Sequence, residues 1–568
     1  MSNVSPEQRK YDYMLENNKN YMNYTALSFG NRKITYEEMH ESIEKYAKLL
    51  YKKGVRRGDL IGLCCLNTPE SVYLLYALDI IGAIVVGFSP FENKEVIKKD
   101  IEMIKPKMVI TVDMMYSGFK EMEKALNFST ILYSPLESVD DMKLKLGYRL
   151  MQLSKGNFKL DRNASLKNLL KQDLSKIELK KATYLEDELT DILFTGGSTG
   201  THKGVDLPGE GFNYVVEGMR YMYDKDFFAG RIYLGNVPFG PMGYGRTILH
   251  IALTNNMEYA LTLKAMPEDF YDELVRTRAN CAVGGPPHWN SLIIREDGRF
   301  KVHPKVKKGL LSNIVLATSG GEANKKETRE AAQEALRYGG SSAPLGDGLG
   351  ATENCSVITL NSGNFYVPDT IGHKLDNLEI KLLDPKTGLE VKKGEKGVLH
   401  ISGHSVMLGY HNNPEETKKV ISYDENGKRW CNIGDLLIEN ENGSYTYVGR
   451  VKRNFVCGVE NIYPEQIEKL LMSIPEINEL VVTSIPDYDM QYVPSYHISL
   501  NSSTVDHKEL EEKIRKLILS KFTEAWLPRK IEFFDKPLKR MDNSKIDISY
   551  YKKRDELKEE SHTLILKH

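Results

Sequence analysis

Apolar residues in the first part of the chain follow two alternating periods. From Tyr36 to Lys53 they recur at helical spacing, and Leu60–Cys65 is a short, nearly continuous apolar run that predicts a strand. Val72–Ile81 reads as a buried helix leading into a buried strand, Ile84–Phe88, and Lys107–Val112 as a further β-branched strand. Such alternation predicts an α/β fold of parallel-rich sheets covered by helices. The longest apolar run, Val72 to Phe88, is broken by Asp79 and Gly82 and falls short of the ~20 residues that a membrane-spanning helix needs. No transmembrane segment is predicted.

Between Met142 and Lys176 the texture turns basic and Leu-rich, with nine Lys/Arg against Asp161 and Asp173. Met142, Leu146, Leu150 and Leu153 fall on one helical face. This pattern fits a helix touching an anionic membrane surface. It also fits a solvated excursion between two subdomains, which is the default expectation. Membrane contact is expected to be peripheral at most. After Gly449 the pattern becomes a compact α+β segment: Pro464 opens a helix through Leu471, ELVVTSIP (Glu479–Pro486) is a strand, and Glu509–Lys521 an amphipathic helix. The expected division is 1–449 and 450–568, with the boundary at Arg450–Lys452.

At 568 residues the chain exceeds the size at which a single core stops growing, roughly 250–300 residues, so more than one domain is expected. A net charge of −1 argues against a nucleic-acid partner, which calls for a basic surplus. The six cysteines form neither a disulfide framework nor a metal-type spacing, and the N-terminus MSNVSPEQRKYDY lacks the apolar core of a signal peptide. A reduced, cytoplasmic setting is the expectation.

The strongest chemical signal is FTGGSTGTHKG, Phe194 to Gly204. Glycines let backbone N–H groups turn toward one point, hydroxyls add donors, and the lysine adds positive charge, which together suit a polyphosphate. The spacing is not that of a Walker A loop, since Thr201 and His202 separate Gly200 from Lys203. Downstream stand SGGEA (Ser319–Ala323), GDGLGATE (Gly346–Glu353), WCNIGD (Trp430–Asp435), YVGRVKRNFVCGVENIYPEQIE (Tyr447–Glu468) and KRMDNSKID (Lys539–Asp547).

In this order and at these separations the motifs resemble those of the AMP-forming adenylating superfamily, which includes acyl-CoA synthetases, luciferases and peptide-synthetase adenylation domains. The resemblance runs from about residue 20 to 550 and is nearest in look to fatty acyl- and aryl-CoA ligases. It implies ATP and Mg²⁺, a small carboxylic acid as substrate, and CoA or the phosphopantetheine of an acyl or peptidyl carrier protein as acceptor; the alternative expectation is a stand-alone acyl or aryl adenylating enzyme whose acceptor is a carrier protein or an amine rather than CoA. It also implies that the C-terminal domain is mobile. By the resemblance, Thr195, Gly196, Gly197, Ser198, Thr199 and Gly200 with Lys203 form the phosphate loop. Glu353 is the Mg²⁺ ligand and Thr352 a contact to the α-phosphate. Gly321, Glu322 and Ala323 lie along the adenine, with Asp347, Gly348 and Leu349 beside it. Asp435 takes the ribose hydroxyls, Arg450 reaches the ribose, and Lys545 is the catalytic lysine. Lys452 is the hinge, and Gly458 and Val459 border the thiol tunnel.

The sequence departs from the usual pattern at His202, Leu349, Arg453, Val459 and Ser544, where the family has proline, an aromatic ring, an acidic residue and two glycines. Phe239, Gly240, Met242, Tyr244 and Gly285 are the expected acyl pocket. Gly240 stands where amino-acid-activating relatives carry an aspartate, which disfavours an α-amino acid, because a buried ammonium needs a counter-charge. Glycine there is expected to leave room for a hydrophobic acid. Two other classes weigh less. GDGLGA as a dinucleotide fingerprint sits too deep in the chain, and a non-catalytic relative is expected to lack Glu353, Asp435, Arg450 or Lys545, all of which are present.

Overall fold

The computed structural model describes residues 4–137, 139, 142–154, 163–196, 202–224, 226–296, 299–321, 326–453, 455–457, 460–487, 490–541, 545–556 and 563–565. The alternation read from the first hundred residues builds a seven-stranded sheet. Leu60–Cys64 sits centrally between Ile84–Phe88 and Met108–Val112, all parallel, and Ser129–Tyr133 follows at one side. Leu189–Gly196 pairs parallel with Ile84–Phe88 and then turns back as an antiparallel hairpin with His202–Pro208. These strands are buried on both faces, which is why they read as continuous apolar runs rather than as alternation.

The helix preceding Ile84–Phe88 starts at Pro69, ahead of the Val72 expected from periodicity, because proline is tolerated in a first helical turn. It ends at Gly82, whose φ of 81° is the left-handed C-terminal cap. Tyr36–Lys52 opens with a capping box between Thr35 and Glu38.

A second, nine-stranded sheet runs His373–Lys374, Thr359–Leu360, Leu345–Leu349, Leu316–Ser319, Cys281–Gly284, Ile232–Gly235, Glu258–Leu261, Thr25–Phe29, Arg32–Thr35. Its stretch from Leu345–Leu349 to Thr25–Phe29 is parallel. Both large sheets contribute to one apolar core. An antiparallel five-stranded sheet follows, in which Arg429–Glu439 lies between Lys396–Ser402 and Ile421–Tyr423 and also pairs with Tyr445–Arg450.

Residues from Phe455 onward form a six-stranded sheet, with Gln491–Leu500 bonded to Phe455–Cys457, Ile477–Asp487 and Lys530–Phe534. This sheet has its own core, including Ile462, Ile467, Tyr496, Ile514 and Ile531. The helix expected at Glu509–Lys521 is His507–Leu519, started early by Asp506, which accepts from the N–H groups of Lys508 and Glu509. Among the described residues no helix is long and apolar enough to cross a membrane. All six cysteines are buried free thiols.

Candidate functional site

The glycine-rich sequence occupies the tip of the Leu189–Gly196/His202–Pro208 hairpin, where Thr195 faces Lys203 and Gly196 faces His202 in register. Gly197, Ser198, Thr199 and Gly200 lie outside the described residues. His202 is tied to the body through its Nδ1, 3.0 Å from Asp100 Oδ2 on the helix Lys94–Ile104. This anchors one side of the loop where the resemblance leads one to expect proline. Lys203 pairs with Glu416 and lies 4.9 Å from the centre of the Tyr410 ring. Lys203 and Lys419 together hold the Glu416 carboxyl down to about 2.

Tyr410 connects this lysine to Glu353, its hydroxyl donating to Glu353 Oε1 at 3.0 Å. The Thr352–Asn354 segment is a single 3₁₀ turn whose N-cap position is Ala351, with no side-chain cap. The turn is set by its surroundings. Cys355 and Ser356 adopt φ of 45° and 85°, sparsely populated for residues with a Cβ and found mostly where neighbours over-determine the backbone. The Thr247 hydroxyl donates to the Cys355 carbonyl at 2.7 Å, and Met407 N–H donates to the Glu353 carbonyl at 2.9 Å. A Cβ built on Gly350 would lie 1.6 Å from the Ser356 carbonyl oxygen, so this glycine permits the return of the chain. Neither the left-handed pair nor Thr247 was visible in the sequence, because nothing in a residue's own type announces such a turn.

The carboxyl ends of Cys281–Gly284, Leu316–Ser319 and Leu345–Leu349 adjoin one another in the parallel sheet, where ligands of open α/β sheets bind. Here the backbone is nearly bare. A Cβ on Gly285 would lie 3.6 Å from the Gly320 carbonyl oxygen, and one on Gly320 would lie 3.4 Å from Tyr244 Oη and 3.7 Å from the Gly348 carbonyl oxygen. Gly285, Gly348 and Tyr244 are thus brought together, with Gly320 at their centre, a residue the sequence reading passed over. Gly321 follows with φ of 89°, and a Cβ built there would meet no atom of the described residues within 4 Å. Glu322 and Ala323 lie outside the described residues. Leu349 is half-buried and packs on the main core.

Asp347 accepts from Arg329 Nη1 at 2.9 Å through Oδ2, while its Oδ1 is buried with no hydrogen-bond partner among the described residues. Burial raises its carboxyl above the ordinary range despite Arg329. An orphaned buried acceptor costs stability until a donor arrives, and an adenine amino group is such a donor. This fits a nucleotide base on the Gly320–Gly348 rim. Mg²⁺ commonly takes one or two protein carboxylates plus substrate phosphates, and Glu353 beside the phosphate hairpin fits that pattern.

Asp435 and Arg450 are cross-strand partners, Arg450 Nε donating to Asp435 Oδ1 at 2.7 Å. Asp435 is buried whereas the Arg450 side chain is half-exposed above it. Burial works against the guanidinium charge, but Asp435 and, less, Glu353 hold Arg450 above its usual range. Arg453, in place of an acidic residue, pairs with Glu465 at 3.1 Å and Glu468 at 2.5 Å on the helix Pro464–Leu471. It thereby ties the stretch after Lys452 to the C-terminal sheet's core. Lys545 is exposed, in a turn closed by Met541 N–H to its carbonyl at 2.8 Å and by a bridge between Arg540 and Ile546. Gly458 and Val459 lie outside the described residues, as does the Lys452 side chain.

Gly240 departs from expectation. A Cβ there would meet Cys65 Sγ at 2.7 Å, so the space opposite is filled by Cys65 rather than left open. Phe239 is fully buried in the main core. Of the expected acyl pocket, Met242 is exposed and Tyr244 half-buried, both flanking the Gly243 turn, where a built Cβ would lie 3.7 Å from Thr352. The sequence reading also missed a buried ion cluster beneath the site. Asp191, on the hairpin strand, pairs with Lys10 and Arg246, and Arg246 donates to the Phe239 carbonyl at 3.2 Å and also to the Gly240 carbonyl. The cluster joins the strand leading to the glycine-tipped hairpin to the 239–240 turn. Three ionisable residues 181 or more and 55 positions apart give no local motif.

A bare-backbone rim at parallel-strand ends, a glycine-tipped hairpin with a lysine, and a carboxylate reached from that lysine through Tyr410 fit a nucleotide-phosphate enzyme of the adenylating type. The family model described as "AMP-binding enzyme" matches residues 14–411, and the chain belongs to that family. Among curated proteins it is 25% identical over 519 residues to a long-chain-fatty-acid–CoA ligase of Bacillus subtilis, covering 90% of this chain and 88% of that one. It is also 25% identical to a 4-coumarate–CoA ligase of Humulus lupulus, covering 90% and 88%. In fold it is similar to ATP-bound MatB of Rhodopseudomonas palustris, with a TM-score of 0.79 at 19% identity over 96% of this chain and 98% of that one.

Proposed function

We propose that the protein is an AMP-forming acid–thiol ligase acting on a hydrophobic carboxylic acid. A carboxylate oxygen attacks the α-phosphorus of ATP, the bond to the β-phosphate oxygen breaks, and pyrophosphate leaves. A thiolate sulfur then attacks the acyl carbon, and AMP leaves with the carboxyl oxygen. The observation that carries this reading is the linked set Lys203–Tyr410–Glu353 beside the rim bearing the orphaned Asp347 Oδ1.

Glu353 would hold Mg²⁺, which when bound would neutralise phosphate charge. Lys203 and the hairpin N–H groups bind the β- and γ-phosphates, and the ribose hydroxyls donate to Asp435, sharing it with Arg450. Asp347 Oδ1 accepts from the adenine amino group. Lys545 stabilises charge in the pentavalent transition state. The Met242–Tyr244 turn and Gly285 border an apolar acyl site, and the absence of an acidic residue at 240 supports a non-amino acid.

Residues 450–568 act as a mobile domain hinged at Lys452. It presents Lys545 in the first step and the Gly458–Val459 segment to the thiol in the second. The separate core of the C-terminal sheet supports such a unit. The acceptor is CoA or a phosphopantetheinyl carrier protein.

The test is Lys545→Ala assayed in each half-reaction. Acyl-AMP formation should fall by about 10²–10³-fold, as for loss of one charge-stabilising donor. Thioester formation from supplied acyl-AMP should fall less than about threefold, because no phosphate charge develops there. Equal loss in both steps would remove the division of labour.

A further inference from the structure

The helix Met142–Ser154 takes no part in the site above. Met142, Leu146 and Leu150 are 77%, 60% and 57% exposed on it. At four-residue spacing they stand within about 80° of arc, a continuous apolar stripe. Tyr148, about 200° around from Leu146, faces the protein: its hydroxyl donates to Asp113 and its ring packs on the main core. The stripe therefore points away from the body. A Cβ built on Gly147 would find no atom of the described residues beyond its own helix within 4 Å. Arg149 is exposed and Lys145 half-exposed along the stripe's edge, and no carboxylate among the described residues pairs with either. The helix sequence MKLKLGYRLMQLS contains no acidic residue.

We propose that Met142–Ser154 docks the protein on an anionic lipid bilayer, with Met142, Leu146 and Leu150 at the acyl-chain boundary and Lys145 and Arg149 at the headgroup phosphates. Apolar burial and attraction to anionic lipid add on one narrow face. Long basic side chains keep their charge at headgroup level while their stems cover apolar surface. A second copy of this helix is the weaker occupant, since it offers the same positive charge and no acidic group to receive it.

The test is co-sedimentation of the full chain with phosphatidylcholine vesicles, with and without phosphatidylglycerol. The chain should bind the anionic vesicles about tenfold more tightly than the neutral ones, and added salt should weaken that binding. Leu146→Ser/Leu150→Ser should lower binding about tenfold, with the melting temperature unchanged because both side chains are solvent-facing. Arg149→Glu, a change confined to an exposed charge, should weaken binding to anionic vesicles alone. No binding to anionic vesicles, or undiminished binding by the double variant, overturns the assignment. So does a concentration-dependent dimer in sedimentation velocity that the double variant dissolves, which would give the stripe to a second copy.

Discussion

An added methyl group at Gly240 would sit 2.7 Å from the Cys65 sulfur and 3.3 Å from the Cys65 carbonyl oxygen. Gly240→Ala is therefore expected to destabilise the fold by about 1–3 kcal/mol through overpacking. Cys65→Ala in the same chain should recover most of that loss, as measured by a denaturant double-mutant cycle. Additive losses would mean that the sulfur is not the obstacle. The identity of residue 240 was legible in the sequence and its surroundings were not, since the residue opposite, just past the strand Leu60–Cys64, lies more than 170 positions earlier. The same holds for Asp347. The resemblance put Asp347, within GDGLG, beside the adenine, but only the fold reveals that one oxygen accepts from Arg329 while the other has no partner among the described residues.

Local elements were read more securely wherever one physical rule dominated. Ile84–Phe88 and Pro464–Leu471 appear with the bounds expected, the first from an unbroken apolar run and the second from proline at the helix start. The Thr352–Asn354 turn was illegible because tertiary contacts hold it. The C-terminal sheet also hides a buried charge cluster. His497 lies 3.3 Å from Glu532 and 3.0 Å from Asp555. Thr483 and Ser495 donate to Asp555, as does Lys530, and Arg554 pairs with Glu532.

Burial alone would depress His497, but Asp555 and Glu532 raise it above the ordinary histidine value. Asp555 is itself drawn down to about 2, because His497 and its hydrogen-bond donors outweigh burial. A raised histidine contributes stability that is complete below its unfolded value, about 6.5, and is lost as pH rises through the folded one. The depressed Asp555 contributes above its unfolded value and is lost as pH falls through about 2. Melting of the C-terminal sheet should thus drop from mildly acidic to mildly alkaline pH. His497→Gln should lower stability by about 1–3 kcal/mol at the acidic end by removing the buried charge between Asp555 and Glu532, which keep Lys530 and Arg554 as partners, and should flatten the alkaline decline. A wild-type profile flat across that range would contradict the coupling.

Across the whole molecule, two parallel-rich sheets share one core and direct their strand ends and the glycine-tipped hairpin toward a common rim. Part of this architecture was legible in the motifs, because the glycine-rich stretch falls at a hairpin tip and SGGEA and GDGLGATE follow or close neighbouring parallel strands. The acid and the acceptor were not legible, since they depend on surfaces assembled from many elements. The central claim is that this rim joins a carboxylic acid to AMP. Its most direct measurement is pyrophosphate release with MgATP across a panel of fatty and aryl acids, alongside Glu353→Gln. The account predicts release that depends on the acid and falls about 10²-fold or more in the variant, as charge stabilisation at the phosphates is lost. No acid-dependent release with any member of the panel, or release indifferent to Glu353, would contradict it.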